Sequence, residues 1–187
     1  MAISKIGTDA LVADSVDSAI FDESDNYAFT GTVTGVGTPF IYFEAQLTSN
    51  QSIPNNSTTT LAFNNVITDT ASAYTSGTYR YTPTTAGYWL IQGRMLFTSG
   101  TVFGSRHYFL NCSIQKNGST VRDFTHPKET SNTDSSINSD VTAIVYANGT
   151  TDYFTIGHYH YDYGATASIT AEADSRRTYF TGYYLGA

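Results

Sequence analysis

From Pro39 onward the chain is a succession of short runs rich in Tyr, Phe, Thr, Val and Ile, each closed by a turn signal within about a dozen residues. No window in this region places apolar residues at helical spacing. The runs cover residues 40–47, 58–63, 78–81, 88–97, 106–116, 120–125, 141–146, 153–163, 167–171 and 177–185. Asn117-Gly118 between two of them is a strong two-residue hairpin signal, and Asn148-Gly149 marks a second turn. Residues 126–140 are polar and aperiodic and read as a long surface loop. Short strands at this spacing with no helix among them predict an all-β antiparallel sandwich.

Composition supports that class. Aromatics reach 14%, with 15 Tyr and 11 Phe, and such side chains suit a pleated, half-buried surface. Charged residues make up 13%, about half the usual share, while 40% are hydrophobic, so the chain has enough apolar surface to fold. A net charge of -7 argues against nucleic acid as a partner. No run approaches the ~20 apolar residues of a membrane-spanning helix, so no membrane insertion is expected. The single cysteine, Cys112, excludes an intrachain disulfide.

The first 37 residues differ from the rest. They hold six acids (Asp9, Asp14, Asp17, Asp22, Glu23 and Asp25) against one base, Lys5. Ile3, Ile6, Leu11, Val12, Val16, Ile20 and Phe21 recur near helical spacing, and Thr8 or Asp9 is placed to cap a short helix ending near Ile20. Residues 27–37 then alternate Gly with Thr and Val, an extended pattern that forms no core of its own. Two readings compete, a frayed tail and an anchoring arm whose apolar stripe docks on a neighbour. The number of Ile, Leu and Val residues favours the arm. The predicted division is a 1–37 anchoring and assembly arm, a short helix plus an extended segment, followed by a 38–187 β domain. Residues 1–20 lack a cationic start followed by an apolar run, so no secretory signal is expected.

Four local patterns resemble one family. Tyr81, Pro83, Gly87 and Tyr88 stand in the equivalent places of the Phe-Pro-Gly-Tyr signature of C1q-like domains. Residues 114–118, closing on Lys116, Asn117 and Gly118, look like the family's hairpin, and residues 148–156 are similar to its Gly-Asp strand start. Phe180, Gly182 and Leu185 match its closing strand. The resemblance spans residues 39–187 and implies a ten-stranded jelly roll of the C1q/tumour-necrosis-factor type that assembles as a homotrimer. In place of the family's collagen stalk, residues 1–20 resemble the leader of tailed-phage structural proteins, and residues 27–37 are similar to Thr-Gly-rich fibre linkers. That second resemblance implies a virion protein, made in the host cytoplasm, with phage capsid or tail proteins as partners.

The chemistry-bearing residues are sparse. His158, His160 and Asp162 share one face of a predicted strand, with Tyr159, Tyr161 and Tyr163 on the other. Two histidines and a carboxylate are transition-metal ligand types, yet neighbours two apart in a strand lie about 6.5–7 Å apart, which is awkward for chelation by one strand. A Tyr-rich interface strand with hydrogen-bonded histidines is the simpler reading, and no metal or cofactor is expected. Residues 22–26 superficially resemble a calcium loop, but Tyr27 stands where the loop needs Gly and Val33 where it needs Glu. Cys112, central in a predicted strand, reads as a buried small hydrophobe. No nucleophile elbow, zinc-helix motif or phosphate loop occurs, and the acids of residues 39–187 are scattered singly.

These readings predict a non-enzymatic structural protein of a tailed-phage virion. It would be a trimeric decoration or short-fibre component held by its arm, with Tyr88, Tyr159, Tyr161 and Tyr183 packing the trimer. The alternative is a distal adhesin that binds a host-surface glycan or protein, with residues 125–140 as the outward-facing contact surface.

Overall fold

The computed structural model describes residues 40–98, 109–126, 136–162 and 168–187. The expected anchoring arm, including Ile3, Ile6, Leu11, Val12, Val16, Ile20 and Phe21, and the acidic run 22–26 lie outside them, as does Tyr163.

The described residues form thirteen strands: β1 (Tyr42–Gln46), β2 (Gln51–Ile53), β3 (Thr59–Thr60), β4 (Asn65–Asp69), β5 (Tyr74–Thr75), β6 (Arg80–Tyr81), β7 (Ala86–Thr98), β8 (Phe109–Lys116), β9 (Ser119–His126), β10 (Ser136–Asn148), β11 (Phe154–Tyr161), β12 (Ile169–Ala171) and β13 (Tyr179–Gly186). They make two antiparallel sheets. The seven-stranded sheet runs β2-β12-β7-β13-β1-β4, with β10 along the other edge of β7. The six-stranded sheet runs β5-β6-β11-β8-β9, with β3 also on β11. β3, β5 and β6 are two-residue pieces, so ten strands of three residues or more remain, the number expected of the jelly roll.

The sheets bury one face each. In β7, Trp89, Ile91, Met95 and Phe97 point inward; Leu110, Cys112 and Ile114 of β8 and Phe154 and Ile156 of β11 join them in one core. An aromatic cluster closes one part of it. Phe43 stacks on Tyr81 at 3.8 Å between ring centroids and meets Phe180 edge-on at 4.8 Å. Here the signature residues acquire a physical role. Tyr81 is a core ring, and a side chain at Gly182 would overlap Phe43. Gly87 holds φ +141° and lies so close to the Gly186 carbonyl that no Cβ fits.

Two turns follow the sequence. Asn117 and Gly118 adopt φ 54° and 81°, the left-handed pair of a type I′ hairpin joining β8 to β9. After β10, the Asn148 side-chain oxygen accepts the N–H groups of Thr150, Thr151 and Asp152 at 2.9–3.0 Å. The Asp152 carboxylate in turn accepts from the Asn148 N–H at 2.9 Å and the Asn117 amide at 2.8 Å, and pairs with Lys116 at 2.8 Å. The Lys116 and Asn117 hydrogen bonds hold the Asp152 carboxyl below its ordinary range. Asp152→Ala should therefore cost about 2 kcal/mol at neutral pH. The contribution is complete above the ordinary carboxyl pKa of about 3.9 and is lost as pH falls below it. Urea melts at pH 7 and pH 3 should show the wild-type advantage shrinking at the lower pH.

One expectation is corrected. Residues 136–140 are not loop but the first part of β10, which pairs with β7 over its whole length from Ser136↔Thr98 to Asn148↔Ala86. The inward positions there are Ile137, Ser139 and Val141, and the polar Ser139 hides the alternation from a hydrophobicity reading. Residues 127–135 of the same expected loop lie outside the described residues.

Candidate assembly interface

The outer face of the seven-stranded sheet carries a block of apolar and aromatic side chains. Cross-strand register places Tyr42 opposite Tyr183, Tyr183 opposite Leu90, and Leu90 opposite Ile144, one continuous row over β1, β13, β7 and β10. The next row pairs Tyr88 with Tyr146. Ring contacts knit the rows: Tyr42 and Tyr183 stack at 4.4 Å, and Tyr88 meets Tyr146 edge-on at 5.6 Å. Phe40, just before β1, approaches Tyr42 at 6.3 Å. Ile144 is 63% exposed, Tyr88 51% and Phe40 74%, with Tyr146, Tyr183 and Leu185 also open. Large apolar side chains scattered singly on a surface are ordinary, whereas contiguous rows of them mark an interaction surface.

A polar row borders this block. Glu44, Thr181, Gln92 and Thr142 follow one another across the same four strands. The Glu44 carboxylate accepts from the Tyr42 hydroxyl at 2.5 Å and the Gln46 amide at 2.7 Å. Burial, and then the hydrogen bond to Glu44, push the Tyr42 hydroxyl well above its usual pKa, so it remains a donor throughout the accessible pH range. A recess of about 260 Å³ opens beside Glu44, walled by Gln92, Tyr179, Thr181 and Tyr183. The face is therefore an apolar block with an ordered polar margin, the anatomy of a protein interface.

The four tyrosines singled out from the sequence divide between the two sheets. Tyr88 and Tyr183 stand in the apolar block. Tyr159 and Tyr161 lie on the outer face of the six-stranded sheet, where Tyr159 donates to Asn56 at 2.8 Å and faces Phe109 at 6.4 Å. The sequence reading missed Tyr42, Leu90, Ile144 and Tyr146. Its available signal was in residues 141–146, where Thr142, Ile144 and Tyr146 alternate with Val141, Ala143 and Val145, apolar on both faces.

His158, His160 and Asp162 do share a face, and it is the interior one, with all three buried. His158 stacks on Phe97 at 4.0 Å and lies 6.2 Å from the His160 ring. Neither ring nitrogen of His158 has a hydrogen-bond partner among the described residues, unlike the hydrogen-bonded histidine expected. Burial, with a smaller effect from His160, pushes the His158 pKa down to about 3, so the imidazole is neutral. Among the described residues no group of three His, Cys, Asp or Glu side chains is arranged to hold a metal ion. Cys112 is buried 3.9 Å from the Met95 sulfur, and burial pushes its thiol well above the usual range, so it packs as a small apolar group.

No protein-family model matches the sequence, and no curated protein matches it. Solved structures do. The chain is similar to the Eiger TNF of S. frugiperda, with TM-score 0.60 and 10% identity over 80% of this chain and 94% of that one. It is also similar to murine APRIL, with TM-score 0.54 and 9% identity over 79% of this chain and all of the other. The globular domain of zebrafish complement 1qA aligns with TM-score 0.50 and 11% identity, over 78% and 98% of the two chains. At these identities the likeness is one of backbone: the chain carries a jelly roll of the TNF and C1q type.

Proposed function

We propose that the chain works as a non-enzymatic homotrimer, a decoration or short-fibre component of a tailed-phage virion held to capsid or tail by residues 1–37. The observation that carries the trimer is the contiguous apolar block on the outer face of the seven-stranded sheet. The core of the sandwich is complete without it, so these side chains do not serve the fold of a single chain. Three copies related by a closed rotation would each cover the face of a neighbour, and closure would leave no copy of this apolar block open for further growth. The backbone likeness to TNF and C1q-type structures supports the same arrangement, since the family that the sequence resembles implies a homotrimer.

The virion assignment is supported by the phage-like leader and the acidic, apolar-striped character of residues 1–37. Trimerisation would bring three such arms together, and linked arms gain effective concentration without any new contact. An anchor too weak as a single copy then holds firmly. Removing residues 1–37 should leave a folded trimer that no longer joins particles. Particle incorporation assayed beside sedimentation of the truncated protein tests both halves, and normal incorporation would overturn the anchoring role.

A further inference from the structure

On the outer face of the six-stranded sheet lies a groove of about 330 Å³, within the size range of small-ligand sites. Thr60, Tyr79, Arg80, Gln115, Tyr153 and Thr155 line it. Among the described residues Arg80 carries the one charge in this lining, a positive one on a chain of net charge -7. Its guanidinium lies 4.0 Å over the Tyr153 ring and has no carboxylate partner among the described residues. Arg80 is exposed, and a guanidinium is a planar fork of donors that can grip a carboxylate with two hydrogen bonds.

The support beneath this cation is hydrogen-bonded across strands. Asn117 donates its N–H to the Tyr153 carbonyl and accepts the Tyr153 N–H on its side chain, both at 3.0 Å. Thr155 donates to the Gln115 side-chain oxygen at 3.1 Å, and Gly157 leaves the room that the Gln115 amide occupies, since a Cβ there would meet it. Tyr79 is held at φ 59° in the turn between β5 and β6. A bulky ring in the left-handed region is strained. Backbone strain of this kind persists where surroundings impose it and concentrates at ligand clamps.

We propose that this groove binds a carboxylated sugar, a hexuronate or a sialate. The carboxylate pairs with the Arg80 fork, the Gln115 amide and the threonine hydroxyls meet the ring hydroxyls, and the Tyr79 ring covers an apolar sugar face. The proposal depends on neither the trimer nor the virion reading. Its test is an NMR titration of the full chain with glucuronate, N-acetylneuraminate, glucose and acetate. At least one acidic sugar should bind saturably and about tenfold or more tighter than glucose or acetate, since it alone combines the charge with the hydroxyls. Which acid wins separates a uronate polymer from a sialylated surface as the natural source. Arg80→Gln should weaken that binding by about tenfold or more while lowering the melting temperature by no more than about a few degrees, because the residue is exposed and gives up only its contact with Tyr153. Tyr79→Gly, which keeps the turn and deletes the ring, should weaken it several-fold. No saturable binding of either acidic sugar, acetate binding as well as the sugars, or affinity indifferent to Arg80→Gln would overturn the assignment.

Discussion

Ile144→Arg is expected to convert the assembled protein into single folded chains. Ile144 sits at the β10 end of the row that runs through Leu90 and Tyr183 to Tyr42, and it is the most exposed member of that row. In the isolated chain an arginine there points into water and costs little. In the assembly it becomes an unpaired charge against apolar neighbours, a penalty of about 3–5 kcal/mol at each interface. Three equivalent interfaces multiply the effect, so the trimer should be lost at any ordinary concentration while the fold survives. Tyr88→Ala should weaken assembly less, because it removes contact area without burying charge. Val121→Arg, on β9 of the other sheet and also exposed, serves as the control and should leave the assembly intact. Size-exclusion chromatography with light scattering reads all three.

Acid should destabilise the fold through His158. Its imidazole is neutral in the folded chain, with a pKa of about 3, whereas in the unfolded chain it titrates near 6.5. The unfolded state therefore binds a proton between these values that the folded state does not. The contribution to stability is whole well above pH 6.5, falls by about 1.4 kcal/mol for each unit below it, and has fallen by roughly 4 kcal/mol by pH 3. His158→Leu removes the titrating group and keeps an apolar body against Phe97. The variant should be about 1–3 kcal/mol more stable at neutral pH, since a buried polar ring without hydrogen bonds among the described residues is gone. Its advantage should widen as pH falls from 6.5. Denaturant melts of both proteins across pH 4–8 at one protomer concentration give the difference directly. A constant gap would show that the imidazole is not held neutral in the fold.

Much of the architecture can be read from residues whose local chemistry and tertiary role agree. The hairpin at Asn117-Gly118 needs left-handed backbone, and both residue types supply it. Tyr81, Gly87 and Gly182 look like a pattern in the sequence because each fills one demand of the core: a ring on Phe43, a positive φ against Gly186, and a gap beside Phe43. β2, β4 and β5 escaped notice because short segments are held by their partners and not by their own propensity. β10 was shortened because half of Ser136–Asp140 faces water and its inward side includes Ser139.

The candidate interface was only partly legible, for a different reason. Period-two alternation separates the two faces of a strand but does not say which is inside. In β11 the face bearing histidines turned inward, where a flat neutral imidazole stacks on Phe97, while Tyr159 kept its hydroxyl on Asn56 at the surface. Tyrosine abundance thus marked two surfaces at once. Only cross-strand register gathers Tyr88 and Tyr183 with Ile144 and Tyr146 and leaves Tyr159 and Tyr161 on the far sheet.

Sedimentation equilibrium of the whole chain in dilute buffer tests the central claim most directly. The account predicts a species of three times 20.4 kDa that persists as the protein is diluted. A stable species of 20.4 kDa, with the face of Tyr88, Ile144 and Tyr183 open to water, would contradict it.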